Sequence, residues 1–190
     1  AIGQKKPFFP INHLEGHLLS PTFNNSNIFP YTCLLLTGGH TQIYHVHSIN
    51  NYLLLGETLD DALGEAFDKV AKILGMPYPG GPYLEKKAEN GNKNSFQLPH
   101  PLDKKNDLNF SFSGIKTAVS LIVKNHNYIN EKFICDLSAS FQNTVSKILI
   151  RKVENSFKYL SQKNTVIKYI SLVGGVASNK YIYKEINKIA

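Results

Sequence analysis

Hydrophobic side chains recur along this chain in two periods, and the points where the period changes mark its elements. Tyr31 to Leu36 is an unbroken β-prone run that stops at Thr37-Gly38-Gly39, which predicts a buried strand ending in a tight loop. Gln42 to His47 and Tyr52 to Leu55 predict two further strands, joined through the turn-prone Ser48-Ile49-Asn50-Asn51. From Leu59 the step lengthens to three and four. Leu59, Ala62, Leu63, Ala66, Phe67, Val70, Ala71 and Leu74 predict one amphipathic helix, with Thr58 as its cap, Asp60 and Asp61 in its first turn and Gly75 at its end. Pro77 to Pro82 reads as a rigid loop before a short helix near Tyr83 to Ala88, and the most polar stretch, 88–109, reads as a long surface excursion. Helical spacing returns over Gly114 to Lys124 and from about Lys132 to Leu160. Ile167 to Val173 predicts a second buried strand that ends in Gly174-Gly175, before a last helix starting near Ser178. Strands alternating with helices predict a layered α/β domain.

Composition changes this picture little. Hydrophobic residues are 42% and charged residues 18% of 190, enough for a core and unlike a disordered chain. The formal charge of +7 suits a polyanionic partner. It equally suits a Lys-rich and Asn-rich coding bias, since Arg151 is the one arginine. Cys33 and Cys135 lie in apolar stretches without metal-type spacing, so they read as small hydrophobes in a reducing compartment. No window approaches the ~20 apolar residues of a membrane helix, and a soluble cytoplasmic protein is the default expectation.

The candidate chemistry lies at a histidine pair and three glycine loops. In Asn12-His13-Leu14-Glu15-Gly16-His17, His13 and His17 are four apart, which on a helix puts both imidazoles on one face for a shared metal ion. Two polar histidines near a helix end are the plain alternative, and two ligands alone do not complete a site. Glu15 falls roughly on the opposite side of such a helix, unlike the base of an H-E-x-x-H metallopeptidase.

Thr37-Gly38-Gly39-His40-Thr41, Gly80-Gly81 and Gly174 to Asn179 each bring backbone amides up to a ligand without side-chain obstruction. Singly, each is an ordinary turn; together they raise nucleotide binding as a function. Asp68 is either an acceptor for ligand hydroxyls at a cleft edge or a helix carboxylate paired with Lys72. Phe110 to Thr117 alternates aromatics with hydroxyls before a helix. It is either a cap with two buried Phe anchors or a polar shelf where Lys116 meets a phosphate.

Taken in order, NHLEGHLLSP (12–21), LLLTGGHTQ (34–42), GETLDDALGEAFDKVAKILG (56–75), YPGGP (78–82), FSFSGIKTA (110–118) and GGVASN (174–179) resemble the TsaD family. These are the tRNA N6-threonylcarbamoyladenosine transferases, formerly described as glycoproteases or O-sialoglycoprotein endopeptidases, and the bacterial form is the more similar. The resemblance implies an α/β fold of the actin, Hsp70 and sugar-kinase type, with two ribonuclease-H-like subdomains and a nucleotide between them. Residues 1–190 would be its central part: the end of the first subdomain plus most of the second.

It further implies that His13 and His17 hold one divalent metal ion, Fe2+ or Zn2+. Leu35, Leu36, Thr37, Gly38, Gly39, Asp68, Gly81 and Asn179 match positions that hold threonylcarbamoyl-AMP, and an ATP- or ADP-like nucleotide would occupy the same cleft. The implied reaction modifies N6 of the adenosine 3′ to the anticodon in tRNAs that read codons beginning with A, with no protein nucleophile. Implied partners are tRNA, a paralogous TsaB-like protein and a TsaE-like ATPase, with no membrane. Glu85 stands where some members carry a shorter carboxylate and receives no role.

The family's first phosphate-binding turn, and the aspartate that completes its metal site, have no match in these 190 residues. Little transferase activity is therefore expected of this stretch alone. A truncated nucleotide- and metal-binding scaffold, a metallopeptidase and another actin-fold protein such as a sugar kinase are the alternatives.

Overall fold

The computed structural model describes residues 2–4, 6–23, 28–103 and 107–189. Lys104, Lys105 and Asn106, within the polar stretch, lie outside the described residues. Four strands form one mixed sheet in the order β3-β2-β1-β4: β1 (Tyr31–Leu36), β2 (Thr41–Ser48), β3 (Asn51–Glu57) and β4 (Tyr169–Val173). β1, β2 and β3 are antiparallel neighbours, and β4 lies parallel to β1 with Tyr31 opposite Tyr169 and Leu35 opposite Val173.

Side-chain alternation along β1 sends residues to two different cores. Leu34 and Leu36, with Ile43 of β2, face the larger one, built by the helices α2 (Leu63–Ile73), α3 (Gly80–Ala88), α4 (Ser113–Lys124), α5 (Glu131–Gln162) and α6 (Lys180–Ile186). Tyr31, Cys33 and Leu35 face a smaller cluster against α1 (His13–Leu19), which contributes Leu14 and Leu18. Burial lifts the Cys33 thiol pKa to about 12, so it is a packed apolar group and not a nucleophile. Two tyrosine hydroxyls fasten α1 to the sheet: Tyr31 donates to the Leu18 carbonyl, and Tyr52 donates to Glu15 Oε1 at 2.7 Å.

Several expected boundaries move. α2 begins at Leu63, not near Leu59, and Thr58 does not cap it; the Thr58 hydroxyl instead donates to the Asp61 carbonyl at 2.8 Å. The orphan N–H groups of α2 find partners across the fold, Leu63 N at Thr41 Oγ1 (2.8 Å) and Gly64 N at the Thr37 carbonyl (3.2 Å). Residues 57–60 run beside the start of α4: Phe110 N donates to the Glu57 carbonyl and Leu59 N to the Phe110 carbonyl, both at 2.9 Å. α3 starts at Gly80, three residues before the sequence suggests. β4 is shorter than predicted, and only Val173 in it is buried, because among the described residues it has one neighbour and forms the sheet's edge.

The 88–109 stretch is no free excursion where it is described. α5 is buried on every side over 135–146, polar residues included, and these polar groups bond the stretch's backbone. Asn92 N donates to Asp136 Oδ1 (2.7 Å), Phe96 N to Ser140 Oγ (3.2 Å), and Lys152 Nζ to the carbonyls of Leu102 (2.8 Å) and Asp107 (3.0 Å). Gly91 lies so close to α5 that a Cβ there would meet the Cys135 carbonyl oxygen at 2.0 Å. Buried amides need partners, and a polar helix face supplies them.

The Phe110 to Thr117 alternation takes its structural form. Phe110 and Phe112 are fully buried and stacked at 6.2 Å, while Ser111 and Ser113 turn to Asp60. Lys116 pairs with Asp61 at 3.5 Å, so it is not a free phosphate ligand. Asp60 caps α4 from fifty residues upstream, accepting from Phe112 N (2.8 Å), Ser113 N (3.3 Å), Ser111 Oγ (2.5 Å) and Ser113 Oγ (2.8 Å).

Partial burial opposes ionisation of Asp60, but these hydrogen bonds outweigh it and hold its pKa below the ordinary value. The ionised form therefore stabilises the fold above the unfolded carboxyl pKa of about 3.9, and that contribution is lost as pH falls through the lower folded value. Asp60→Asn is expected to cost about 1 kcal/mol at pH 7. Urea unfolding of variant and parent should show that gap shrink on acidification.

Candidate functional site

The polypeptide turns sharply at the carboxyl ends of both parallel strands, where ligands of open α/β sheets bind. After β1, Thr37 N donates to the His40 carbonyl (2.8 Å), and Thr37 Oγ1 accepts from His40 N (2.9 Å) and Gly39 N (3.3 Å). That hydroxyl is committed to closing its own turn. After β4, Gly174 adopts φ +98°, and a Cβ there would meet the Leu36 carbonyl oxygen at 2.3 Å, so only glycine lets the two strand ends lie together. The third bend opens α3, where Gly80 N donates to Asp68 Oδ1 at 2.7 Å. Asp68 thus anchors α3, and it forms no ion pair with Lys72 among the described residues.

All three bends meet at one cleft of about 190 Å³, lined by Gly38, Gly64, Phe67, Asp68, Pro79, Gly81, Pro82, Glu85, Gly175, Val176, Ser178 and Asn179. A nucleotide needs more room than this, since ligand pockets span ~300–1,000 Å³. A second, open groove of about 670 Å³ continues from Gly38 and Asp68 along Lys69, Lys72, Tyr78 and Gly80. Together they give a narrow end and a wider end, both open to solvent.

Of the residues singled out in the sequence, Gly38, Asp68, Gly81 and Asn179 share the cleft wall. Leu35 and Leu36 are fully buried, with their side chains in the two cores, and Thr37 and Gly39 belong to the turn beside it. The Asn179 side chain is largely spent: Oδ1 caps α6 by accepting from Ile182 N, and Nδ2 donates to Gln142 Oε1, both at 2.9 Å. Sequence reasoning left Glu85 without a role, yet it lines the cleft and accepts from Lys180 N at 2.7 Å, joining α3 to the start of α6. Its position one helical turn after Gly81 was the available signal.

His13 and His17 do not line the cleft. They lie on α1, against the opposite face of the sheet from α2, with ring centroids 4.7 Å apart and planes at 74°. Asn12 caps their helix, accepting from Leu14 N at 2.9 Å. Neither imidazole has a hydrogen-bond partner among the described residues, and the spacing suits two donors to one ion. Among the described residues no third His, Cys, Asp or Glu joins them. The pair therefore fits a divalent ion as part of its ligand set. Glu15 is engaged by Tyr52 and is not a free base beside the pair.

A mixed sheet flanked by helices, with glycine bends gathered at its parallel strand ends, defines a layered α/β protein, as the actin, Hsp70 and sugar-kinase fold implied by the resemblance requires. The structure aligns with component A of Acidaminococcus fermentans (R)-2-hydroxyglutaryl-CoA dehydratase over 94% of this chain and 58% of that one. The TM-score is 0.53 at 17% identity, which is a likeness of fold.

The sequence narrows this class to one family. The profile of TsaD, tRNA N6-adenosine threonylcarbamoyltransferase, matches residues 1–190, and the chain belongs to that family. Proteins of that name from Pelagibacter ubique and Rickettsia rickettsii are 48% and 45% identical over 183 and 188 residues. The alignments cover 96% and 98% of this chain but 51% and 55% of the relatives, so the chain spans about half the length of the curated relatives it matches.

Gly64 decides how closely α2 meets the first glycine bend, because a Cβ there would lie 2.7 Å from Gly38 Cα and 2.8 Å from the Thr37 carbonyl oxygen. Gly64→Ala is expected to destabilise the fold by about 1–3 kcal/mol. Gly16→Ala on α1 meets nothing within 4 Å and should be neutral or stabilising. Thermal melts of the two variants check the contrast.

Proposed function

We propose that this chain carries the adenylate-binding part of a tRNA N6-adenosine threonylcarbamoyltransferase. The reaction moves the threonylcarbamoyl group from threonylcarbamoyl-AMP to N6 of the adenosine 3′ to the anticodon, in tRNAs reading codons that begin with A. One observation carries the proposal: Gly38, Asp68, Gly81 and Asn179 meet on a single cleft in a chain that matches the TsaD profile from end to end.

The cleft's own chemistry assigns the parts of the ligand. The smaller end carries two carboxylates, Asp68 and Glu85, and no lysine or arginine among its described lining residues, while Lys69 and Lys72 stand along the adjoining groove. Carboxylates accept from hydroxyls and repel phosphate, so Asp68 and Glu85 receive the ribose. The phosphate goes to the amides of the glycine bends, with Gly81 among the orphan donors of the first turn of α3. The N6 lone pair of adenosine attacks the carbamoyl carbonyl carbon, the bond from that carbon to the phosphate oxygen breaks, and AMP departs as N6 loses a proton. Amides fixed before reaction stabilise the charge gathering on the leaving phosphate. His13 and His17, on the other face of the sheet from α2, would hold the divalent ion, iron or zinc, which would supply Lewis-acid character to a ligand group that reaches it.

The +7 charge supports tRNA as the acceptor, and two free cysteines accord with a cytoplasmic setting. Among the described residues no helix is long and apolar enough to cross a membrane. A TsaB-like paralogue and a TsaE-like ATPase complete the proposed assembly. The division of residues 1–190 into the end of one ribonuclease-H-like subdomain and most of a second is part of the same reading.

A Cβ at Gly81 meets nothing within 4 Å, so Gly81→Val keeps the fold and intrudes on the ligand. It is expected to weaken binding of a non-reactive threonylcarbamoyl-AMP analogue by about tenfold or more, with an unchanged melting temperature. Equal binding by parent and variant, or none by the parent, rejects the site. Transfer itself is tested by grafting residues 1–190 in place of the matching half of the Pelagibacter relative and analysing tRNA nucleosides by mass spectrometry. His13→Ala should lower iron or zinc affinity by about tenfold or more, read as bound metal after dialysis.

A further inference from the structure

We propose that the exposed lysine and tyrosine face shared by α3 and α6 docks an unpaired RNA loop and delivers its target base to the glycine cleft. The proposal rests on the adenylate reading of that cleft and gives the tRNA acceptor its place beside it. α6 is amphipathic. Ile182 and Ile186 are fully buried, whereas Lys180, Tyr183 and Lys184 are exposed at helical spacing. Lys180 directly follows Asn179 of the cleft wall, and its backbone N–H donates to Glu85 Oε1 of α3 at 2.7 Å. The lysine face therefore begins at the cleft rim.

Lys180 and Lys184 lie ~6 Å apart along the helix axis, a step comparable to that between successive phosphates of an RNA strand. On α3, Tyr83 and Lys86 are exposed one turn apart. Lys93 extends the face, with its Nζ 6.0 Å from the ring centroid of Tyr181, which is one turn before Lys184. This charge is largely uncompensated. Lys69, Lys87, Lys116 and Lys132 each pair with a carboxylate, and just past α6 Lys188 pairs with Glu185 at 2.6 Å. Lys86, Lys93, Lys180 and Lys184 form no ion pair among the described residues, and Glu89, just past α3, is the exposed carboxylate that opposes them.

Unpaired lysines facing a single carboxylate suit a polyanion, and the two tyrosines decide its kind. Tyr83 is 46% and Tyr183 52% exposed. Aromatic rings set among phosphate-binding lysines stack on unpaired bases, which neither a duplex nor an acidic protein offers. An adenosine beside an anticodon sits in such a loop and leaves the stack at little cost. The division of charge fits its entry. Asp68 and Glu85 in the cleft repel phosphate, so the base goes in while the flanking phosphates stay on the lysines outside.

The test measures binding of the full chain to an unmodified anticodon stem-loop RNA by fluorescence anisotropy across a salt series. Lys180→Gln with Lys184→Gln should weaken binding about tenfold or more. The same change should flatten the slope of log K against log salt by about 1.5, the share of two phosphate contacts. Tyr183→Ala should weaken stem-loop binding about fivefold or more and leave that of a blunt RNA duplex unaffected. Lys163→Gln with Lys168→Gln, both exposed and before β4 at the sheet end away from the cleft, should change neither. Melting temperatures check that each variant folds. The proposal is overturned by stem-loop binding that is absent in the parent, survives the Lys180 and Lys184 changes, or falls equally in the control pair. Displacement of the stem-loop by polyglutamate of equal charge overturns it too. The threonylcarbamoyl-AMP analogue separates this surface from the adenylate reading, since none of the exchanged residues lines the cleft. Analogue binding without lysine-dependent RNA binding sinks the surface alone, and the reverse result sinks the adenylate site alone.

Discussion

The capture of the α2 N-terminus by the β1–β2 turn is the contact on which the cleft depends. A helix start normally satisfies its free amides with a nearby side chain. Here Ala62 offers none, and the sheet provides Thr41 Oγ1 for Leu63 N and the Thr37 carbonyl for Gly64 N. Gly64 makes the approach possible, because any side chain would occupy the space of Gly38. Once α2 is set, Asp68 one turn further reaches Gly80 N and fixes the start of α3. One docking event thereby orders two of the three glycine bends.

The third bend is set from the other direction. β4 lies against β1, and Gly174 passes the Leu36 carbonyl at a distance that tolerates no Cβ. Glu85 and Asn179 then connect α3, α6 and Gln142 of α5 around the cleft rim. α5 is the support behind this arrangement. It is buried all round over much of its length, and its polar residues bond a polar stretch that would otherwise be solvated. Such a helix acts as a beam to which loops are tied, so the cleft rests on packed secondary structure.

The site is made mostly of backbone. Glycine bends and helix amides have fixed positions and need no reorganisation when charge develops, which suits stabilisation of a departing phosphate. The few side chains present, Asp68 and Glu85, already hold structural hydrogen bonds through one carboxylate oxygen and face the cleft as well. The histidine pair occupies a different layer of the molecule, fastened by Tyr31 and Tyr52 to the far face of the sheet.

Much of this was legible in the sequence, because hydrophobic period and glycine punctuation are local properties. β1 is read residue for residue, α4 and α5 to within a residue or two, and the order of motifs identifies the family. What failed was whatever depends on partners distant in the chain. Thr58 and the two aspartates after it look like a helix start, but the amides of α2 belong to Thr41 and Thr37, and Asp60 belongs to α4. The 88–109 stretch looks solvated, but α5 turns a polar face toward it. Ile167 to Val173 looks buried, but its place at the sheet edge leaves most of it half-covered. Composition and spacing fix which residues can form a helix, a strand or a turn. Which donor meets which acceptor, and so which glycine faces a ligand, is decided only when the chain closes on itself.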